Sequence, residues 1–484
     1  MEQHRADAND SDARRADTRR AEAGRTDIDR SDAHSADAGR TGADRSDTHH
    51  SDTHHSDAGR ADTHRSDAGR ADTHRSDAGR ADNHRSGTRR AVVVGAGIGG
   101  LTAAVALHRR GWRVTVLERS ADLAPVGAGI ALAPNAQRAL DVVGLGDRVR
   151  ALSAWQGDGG MRTPAGRWLV RTDAAAAAAR FGGPLVLLHR ATLVEILTSA
   201  LPDGTVRTGT AATVADPGDD RRPARVTAVA QGAETEWEAD LVLAADGIHS
   251  ATRRALFPDH PGPRYSGRTT WRVVVPAPGR PFAPHETWGA GRLWGTQPLK
   301  DGRVYAYAMA TAPEGARAPD DEKAELLRLF GDWHHPVPEI LAAVDPDRVL
   351  RHDVHHLITP LSAYHRGRVA LLGDAAHAMM PSLGQGGNQA VEDAVVLAHH
   401  AGAGGGFTPS RALAAYTADR LPRTTAIVRK AARTGALTML SVPPAVALRS
   451  VLVGAASRLG PGLLLKGFDG IADWRPPGDP SRVS

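Results

Sequence analysis

The chain of 484 residues contains no cysteine. Disulfides, iron–sulfur clusters, thiolate metal sites and cysteinyl cofactor links are thereby excluded. A chain without disulfides is compatible with the cytoplasm, the location expected for it. Lysine is nearly absent, so nearly all positive charge is arginine, and the formal net charge is only +5. No basic stripe interleaved with aromatics occurs, so nucleic acid is not an expected partner. No stretch of about 18 uncharged apolar residues appears, so no transmembrane helix is expected. The N-terminus has no apolar core of the kind that opens a secretory signal.

Residues 1–88 repeat with a period of five, as in Ser66-Asp67-Ala68-Gly69-Arg70 and Ala71-Asp72-Thr73-His74-Arg75. The centre of each repeat is almost always Ala, Thr or Asn, which leaves little to bury. The segment is therefore expected to be a disordered polyampholyte tail rather than a β-helix. His49-His50 and His54-His55 offer weak metal ligation at most, and no metal site is expected.

The folded part starts near Arg90. The apolar run Ala91–Val94 enters Gly95-Ala96-Gly97-Ile98-Gly99-Gly100, a helical pattern follows to Arg110, and Val114–Glu118 reads as the next strand. This is a βαβ unit carrying a dinucleotide fingerprint. Gly95 permits the tight turn, Gly97 lets the backbone approach a pyrophosphate, and Gly100 lets helix and strand pack. The helix N-terminus presents unpaired N–H groups to phosphate. Glu118, followed by Arg119, ends the second strand, where a carboxylate takes ribose hydroxyls. Alone, this motif fits NAD or FAD.

Two distant motifs discriminate between them. One is Asp246-Gly247-Ile248-His249-Ser250-Ala251-Thr252-Arg253 after an apolar strand. The other is Gly373-Asp374 after Arg368–Leu372, followed by Pro381-Ser382-Leu383-Gly384-Gln385-Gly386-Gly387-Asn388 opening a helix. Asp374 can accept from ribitol hydroxyls. The glycine-rich helix start offers N–H groups and a positive dipole end to the negative N1–O2 region of a reduced flavin. The three motifs in this order point to FAD.

With these motifs the chain strongly resembles the single-component FAD-dependent aromatic hydroxylases, the class A flavoprotein monooxygenases related to p-hydroxybenzoate and salicylate hydroxylases. The resemblance covers roughly Arg90 to Pro477. It extends to Val126–Ala136, with Gly129 and Ile130 beside the flavin ring, to His189-Arg190-Ala191-Thr192-Leu193, and to Trp474-Arg475-Pro476-Pro477. It implies an α/β fold: an FAD-binding Rossmann-like domain of the glutathione-reductase type, an inserted, mostly antiparallel substrate-domain sheet, and a C-terminal helical segment. The FAD-binding domain is expected at 89–155, 188–262 and 352–430, the substrate domain at 156–187 and 263–351, and the helical segment at 431–484.

The resemblance further implies non-covalent FAD, NADH or NADPH as co-substrate, and O2 as oxidant. A C4a-hydroperoxide of the flavin would pass one oxygen to an electron-rich aromatic or related small molecule. Gly95, Gly97, Gly99 and Gly100 would hold the pyrophosphate, Glu118 and Arg119 the adenosine side, and Arg190 would contact FAD. Asp246 and Gly247 would serve both FAD and the nicotinamide. Asp374 would meet the ribitol, and Pro381, Gly384, Gly386, Gly387 and Asn388 the isoalloxazine. Arg272 is a candidate for binding a substrate carboxylate or phenolate, with a surface salt bridge as the plainer reading. His377 is a candidate proton relay or a structural donor. Tyr265, Tyr305 and Tyr307 are candidate pocket residues that packing also explains. The expected assembly is a monomer or homodimer.

A flavin halogenase does not fit, because Trp271-Arg272-Val273-Val274-Val275-Pro276 lacks the second tryptophan and lysine is scarce. The remaining rivals are a flavin epoxidase or a dehydrogenase/reductase acting on an isoprenoid or polyketide-like substrate. A non-catalytic flavoprotein scaffold would require loss of flavin-site glycines, and none is lost. Leu437–Leu465 is apolar, a pattern that suits a membrane-surface helix. Pro443, Pro444 and Pro461 are expected instead to break it into short pieces packed on the flavin domain.

Overall fold

A computed structural model describes residues 88–478, except 124–127, 155–156, 403–405, 459, 461 and 463–464. The repeat tail with its histidine pairs, and Val126 and Gly127, lie outside the described residues.

Short runs of β-branched and aliphatic residues dictate the central sheet. Arg90–Val94, Leu241–Ala244 and Val369–Leu371 are buried on both faces, as strands of a covered parallel sheet must be. The strand order is His365–Arg366, Val369–Leu371, Leu241–Ala244, Arg90–Val94, Arg113–Leu117, Val206–Arg207. All neighbours are parallel except the first pair. Helix Ile98–His108 is apolar all round and buried over almost its whole length, which places it inside the domain. It packs on helix Gly386–Ala401. A three-stranded antiparallel sheet, Thr210–Asp216, Ala224–Ala230 and Ala233–Ala239, adds Ala224, Val226, Ala228 and Ala239 to the same core.

The second sheet has seven strands in the order Leu350–His356, Arg264–Pro276, Arg303–Thr311, Arg292–Pro298, His285–Trp288, Gly159–Arg162, Trp168–Thr172. It is antiparallel apart from the pairing of His285–Trp288 with Gly159–Arg162. Period-two alternation sorts its residues between two faces. Trp271, Val273, Val275, Trp294, Ala306 and Ala308 form one core with Leu326, Phe330, Val337 and Ile340 from helices Glu322–Phe330 and Val337–Ala342. The alternate residues Arg272, Val274, Tyr305 and Tyr307 occupy the opposite face.

The C-terminal part is helical, with Pro409–Thr438 of 30 residues and then Pro443–Arg458. The expected break occurs at Pro443 and Pro444: the long helix ends at Thr438, and the next starts at Pro443, bent from it by 114°. Pro461 lies outside the described residues. Both prolines occupy the first turn, where no intrahelical N–H partner is needed, and the helix then runs 16 residues. Among the described residues no single helix is long and apolar enough to cross a membrane.

Phe330 is fully buried, with its ring 5.4 Å from Trp294 and 4.9 Å from Trp333. Phe330→Ala is expected to cost about 3–5 kcal/mol. It should lower the unfolding temperature while leaving FAD content per folded molecule unchanged, as thermal denaturation and flavin absorbance would show.

Candidate active site

The three sequence motifs converge because their strands are neighbours. Gly373-Asp374 follows Val369–Leu371, Asp246-Gly247 follows Leu241–Ala244, the glycine loop follows Arg90–Val94, and Glu118 follows Arg113–Leu117. Four successive parallel strands thus present them side by side at one carboxyl edge, where α/β sheets bind ligands.

The glycines divide into two kinds. At Gly100 an added Cβ would overlap the Gly95 carbonyl oxygen, and at Gly99 it would lie 2.7 Å from Leu372 Cδ1 and 3.0 Å from Ala390 Cβ. These two glycines serve packing within the protein. At Gly97, Gly247, Gly384 and Gly386 an added Cβ meets nothing within 4 Å. Their surroundings are open, as a surface approached by a ligand must be. Gly97 caps helix Ile98–His108, and Gln385 caps Gly386–Ala401; neither helix has a side-chain cap bond. Both therefore direct N–H groups and positive dipole ends outward.

Glu118 accepts from Ala96 N at 2.7 Å and Ser120 N at 2.9 Å, so it also fixes the glycine loop. Arg119 lies exposed beside it. Asp246 Oδ2 accepts from Thr252 N at 3.0 Å, whereas its buried Oδ1 has no protein partner. Arg253, almost fully buried, donates to Ala375 O at 3.0 Å and Ile248 O at 2.7 Å, tying this loop to the Gly373-Asp374 motif. Asp374 is exposed at the end of its strand. Desolvation raises its pKa, and His377, Arg190 and Arg272 oppose the rise. The guanidinium of Arg190 is shifted down by burial and by Arg272, with Asp374 and Glu118 acting the other way. Asp374, Arg190 and Arg272 therefore share one charged cleft. Open glycine surfaces, uncapped helix starts and the orphaned Asp246 oxygen fit an FAD laid along this edge.

A buried polar cluster sets the cradle's shape. Asp393 accepts from Gly373 N at 2.8 Å, His377 Nε2 at 2.6 Å and Arg420 Nε at 2.7 Å. Glu392 accepts from Arg420 Nη1 at 2.6 Å, Arg423 Nε at 2.8 Å and Asn135 Nδ2 at 2.7 Å. Asn388 accepts from Ala133 N at 2.8 Å and donates to Ala131 O at 2.9 Å. Burial pushes the Asp393 carboxyl up, but His377 and Arg420 outweigh it and hold the group below its ordinary value.

The structure thus directs His377 inward onto Asp393, and the Asn388 side chain is spent on the backbone of Ala131, Ala133 and Gly384. Sequence reasoning missed Asn135, Glu392, Asp393, Arg420 and Arg423. The one signal was an acidic pair, Glu392-Asp393, between the apolar residues Ala390-Val391 and Ala394-Val395-Val396.

The opposite wall of the cleft is the second sheet. Arg272 pairs in register with Tyr307, and Val274 with Tyr305. An added Cβ at Gly129 would overlap the Tyr305 ring, so that ring lies against the flavin-side strand. An added Cβ at Gly295 would overlap Tyr307, whose ring lies flat over that glycine. The Tyr307 hydroxyl donates to Glu286 Oε1 at 2.6 Å, and Trp288 Nε1 donates to Glu286 Oε2 at 3.0 Å. The two tyrosine rings sit 5.5 Å apart and tilted by 35°. Tyr265 instead donates to Ala312 O at 2.6 Å.

Two outcomes separate these roles. Gly97→Ala should fold with an unchanged apo unfolding temperature but bind FAD more weakly, whereas Gly100→Ala should lose apo stability outright; calorimetry and flavin titration check both. Arg420→Met removes the cation that two buried carboxylates share, leaving Glu392 with Arg423 and Asp393 with His377, and is expected to cost about 3–5 kcal/mol. Its measurable signs are a lowered unfolding temperature and loss of FAD during purification.

Comparison with known proteins agrees with this geometry. Residues 88–431 match the family model described as FAD binding domain. The chain is 38% identical over 309 residues to an aurachin C monooxygenase/isomerase of Stigmatella aurantiaca, covering 63% of this chain and 79% of that protein. It is 38% identical over 361 residues to a 3-amino-4-hydroxybenzoate 2-monooxygenase of Streptomyces cremeus, covering 71% and 86%. The crystal structure of Klebsiella pneumoniae HpxO complexed with FAD and uric acid superimposes with a TM-score of 0.70 at 28% identity, covering 80% of this chain and 96% of that one. With its motifs on adjacent strand ends and its family model spanning most of the chain, the protein belongs to the FAD-binding-domain family of FAD-dependent aromatic monooxygenases.

Proposed function

We propose that this protein is an NADH- or NADPH-consuming hydroxylase of an electron-rich aromatic small molecule. The observation that carries the reading is the placement of Arg272 and the Tyr305–Tyr307 rings opposite Asp374 and Arg190, across one cleft. A planar ring fits against the tyrosines, and an anionic oxygen on it fits Arg272. The substrate type is supported by the name of the Streptomyces cremeus relative. In this reading 89–155, 188–262 and 352–430 carry the cofactor, and 156–187 and 263–351 the substrate.

Bound FAD supplies the redox chemistry, accepting a hydride from the nicotinamide and activating O2. The balance is substrate–H, O2, NAD(P)H and a proton giving substrate–OH, NAD(P)+ and water. The chain's own residues bind and orient. Gly95, Gly97 and the N-terminus of helix Ile98–His108 would hold the pyrophosphate, and Glu118 and Arg119 the adenosine side. Asp246, Gly247, Arg190 and Asp374 follow along the strand ends. Backbone from Pro381 through Gly384, Gly386, Gly387 and Asn388 would meet the ring system, and Gly129 and Ile130 would stand beside it. Arg272 stabilises a phenolate or carboxylate of the substrate, raising the ring's electron density when the phenol is ionised. His377 is a positioning residue: its Nε2 holds Asp393, which fixes Gly373 and hence the start of Asp374.

The test is NAD(P)H oxidation by the purified protein in air, with a panel of hydroxylated aromatics and a parallel hydrogen peroxide assay. One compound should stimulate oxidation with little peroxide and yield a product heavier by one oxygen. No oxidation by FAD-loaded protein with any aromatic would overturn the reading in favour of a lipid-directed epoxidase or reductase. Arg272→Met should raise KM for an anionic aromatic by about 10–100-fold, the worth of one charged hydrogen bond, and divert more oxygen to peroxide.

A further inference from the structure

The helix Pro443–Arg458 is turned inside out relative to a helix on a water-soluble surface. Its one mid-helix charge, Arg449, is 2% exposed, while Leu448, Val451 and Leu452 are 59%, 67% and 58% exposed. Polar atoms secure the inner side. Arg449 donates to Thr438 O at 2.6 Å and Gly289 O at 3.1 Å and lies over the Trp288 ring, and Ser457 Oγ donates to Leu169 O at 3.2 Å. The outward face includes Ala447 and Ala455; Val442, 61% exposed, precedes the helix, and Leu437, 48% exposed, lies in the last turn of the preceding helix, from which this one is bent by 114°. Residues 1–87 contain one isoleucine and no leucine, valine, phenylalanine, tyrosine or tryptophan, so their composition offers few large apolar side chains as partners for such a face.

Cations fringe this face at both ends. Arg429 and Arg433 are exposed and share the helical stripe of Leu437, at spacings of four. Arg458, also exposed, lies one turn beyond Ala455 and two beyond Val451. No Asp or Glu occurs from Leu421 through Phe468. We propose that this face docks on an anionic lipid surface, with the aliphatic side chains in the interfacial layer and the arginines on headgroup phosphates. A second copy of the chain fits less well. Two-fold pairing sets the same patch against itself, and a patch with cations at both ends and no acid would meet like charge. The docking helix also abuts the substrate sheet: Arg449 covers Trp288, whose indole N–H holds Glu286 under Tyr307. Docking would thus place that wall of the cleft at the bilayer.

The experiment is flotation of the full-length, FAD-loaded protein with vesicles of phosphatidylcholine alone or mixed with phosphatidylglycerol. Wild type should float with the mixed vesicles, less so at high salt and weakly with the neutral ones. The variant Leu448→Gln/Val451→Gln/Leu452→Gln changes only exposed side chains. Its unfolding temperature and FAD content should match wild type while its bound fraction falls by about tenfold or more. Flotation of wild type with neither vesicle, or equal flotation of the variant, would overturn the proposal. So would a wild-type dimer in sedimentation that becomes a monomer in the triple variant without any vesicle binding, which would assign the face to a second copy.

Discussion

Asp393 and Arg420, buried and joined at 2.7 Å, hold the cofactor edge together. A carboxylate in the interior is tolerated only when its lone pairs are met, and here a backbone N–H, an imidazole and a guanidinium meet them. The backbone partner is Gly373, so the interior charge sets where the strand end turns toward the cleft. Through Glu392 the same arginine reaches Asn135, and Asn388 ties Ala131 and Ala133. Three segments far apart in sequence are thus set against one helix, Gly386–Ala401, whose uncapped start faces outward. The helix can leave its N-terminal N–H groups open to a ligand because its body is pinned by charge.

The cleft's two walls follow opposite design rules. The flavin-side wall is backbone, kept bare by glycine so that a large ligand can approach. The opposing wall is side chain, with Tyr305 and Tyr307 laid into spaces left by Gly129 and Gly295. Arg272 stands in register with Tyr307, and its charge is felt at Asp374 and Arg190. A rigid backbone cradle is what a shared cofactor needs. A side-chain wall is where members of such a family can differ in substrate.

Much of the cofactor edge was legible in the sequence because its requirements are local. Only glycine fits where Gly95 turns and where Gly100 touches the Gly95 carbonyl, and an acid at a strand end, such as Glu118, needs only its own strand to be placed. The rest depends on contacts between distant residues. His377 could be read as a proton relay or as a structural donor, and its bond to Asp393 exists only once the fold brings the two together. Pro443 and Pro444 read as breakers and do mark the break between two helices, but they also form the first turn of the second, whose length and direction only the chain's path decides.

The sequence by itself determined the parallel strands, the glycine loops and the choice of an FAD-type dinucleotide site, because strand periodicity and the steric demands of turns act over a few residues. Tertiary structure alone decided that the four motif-bearing ends are adjacent, that Glu392 and Asp393 share one arginine, and that Arg449 faces inward while its leucine neighbours face out. Those outcomes depend on which surfaces meet, and burial and charge compensation are settled only when they do.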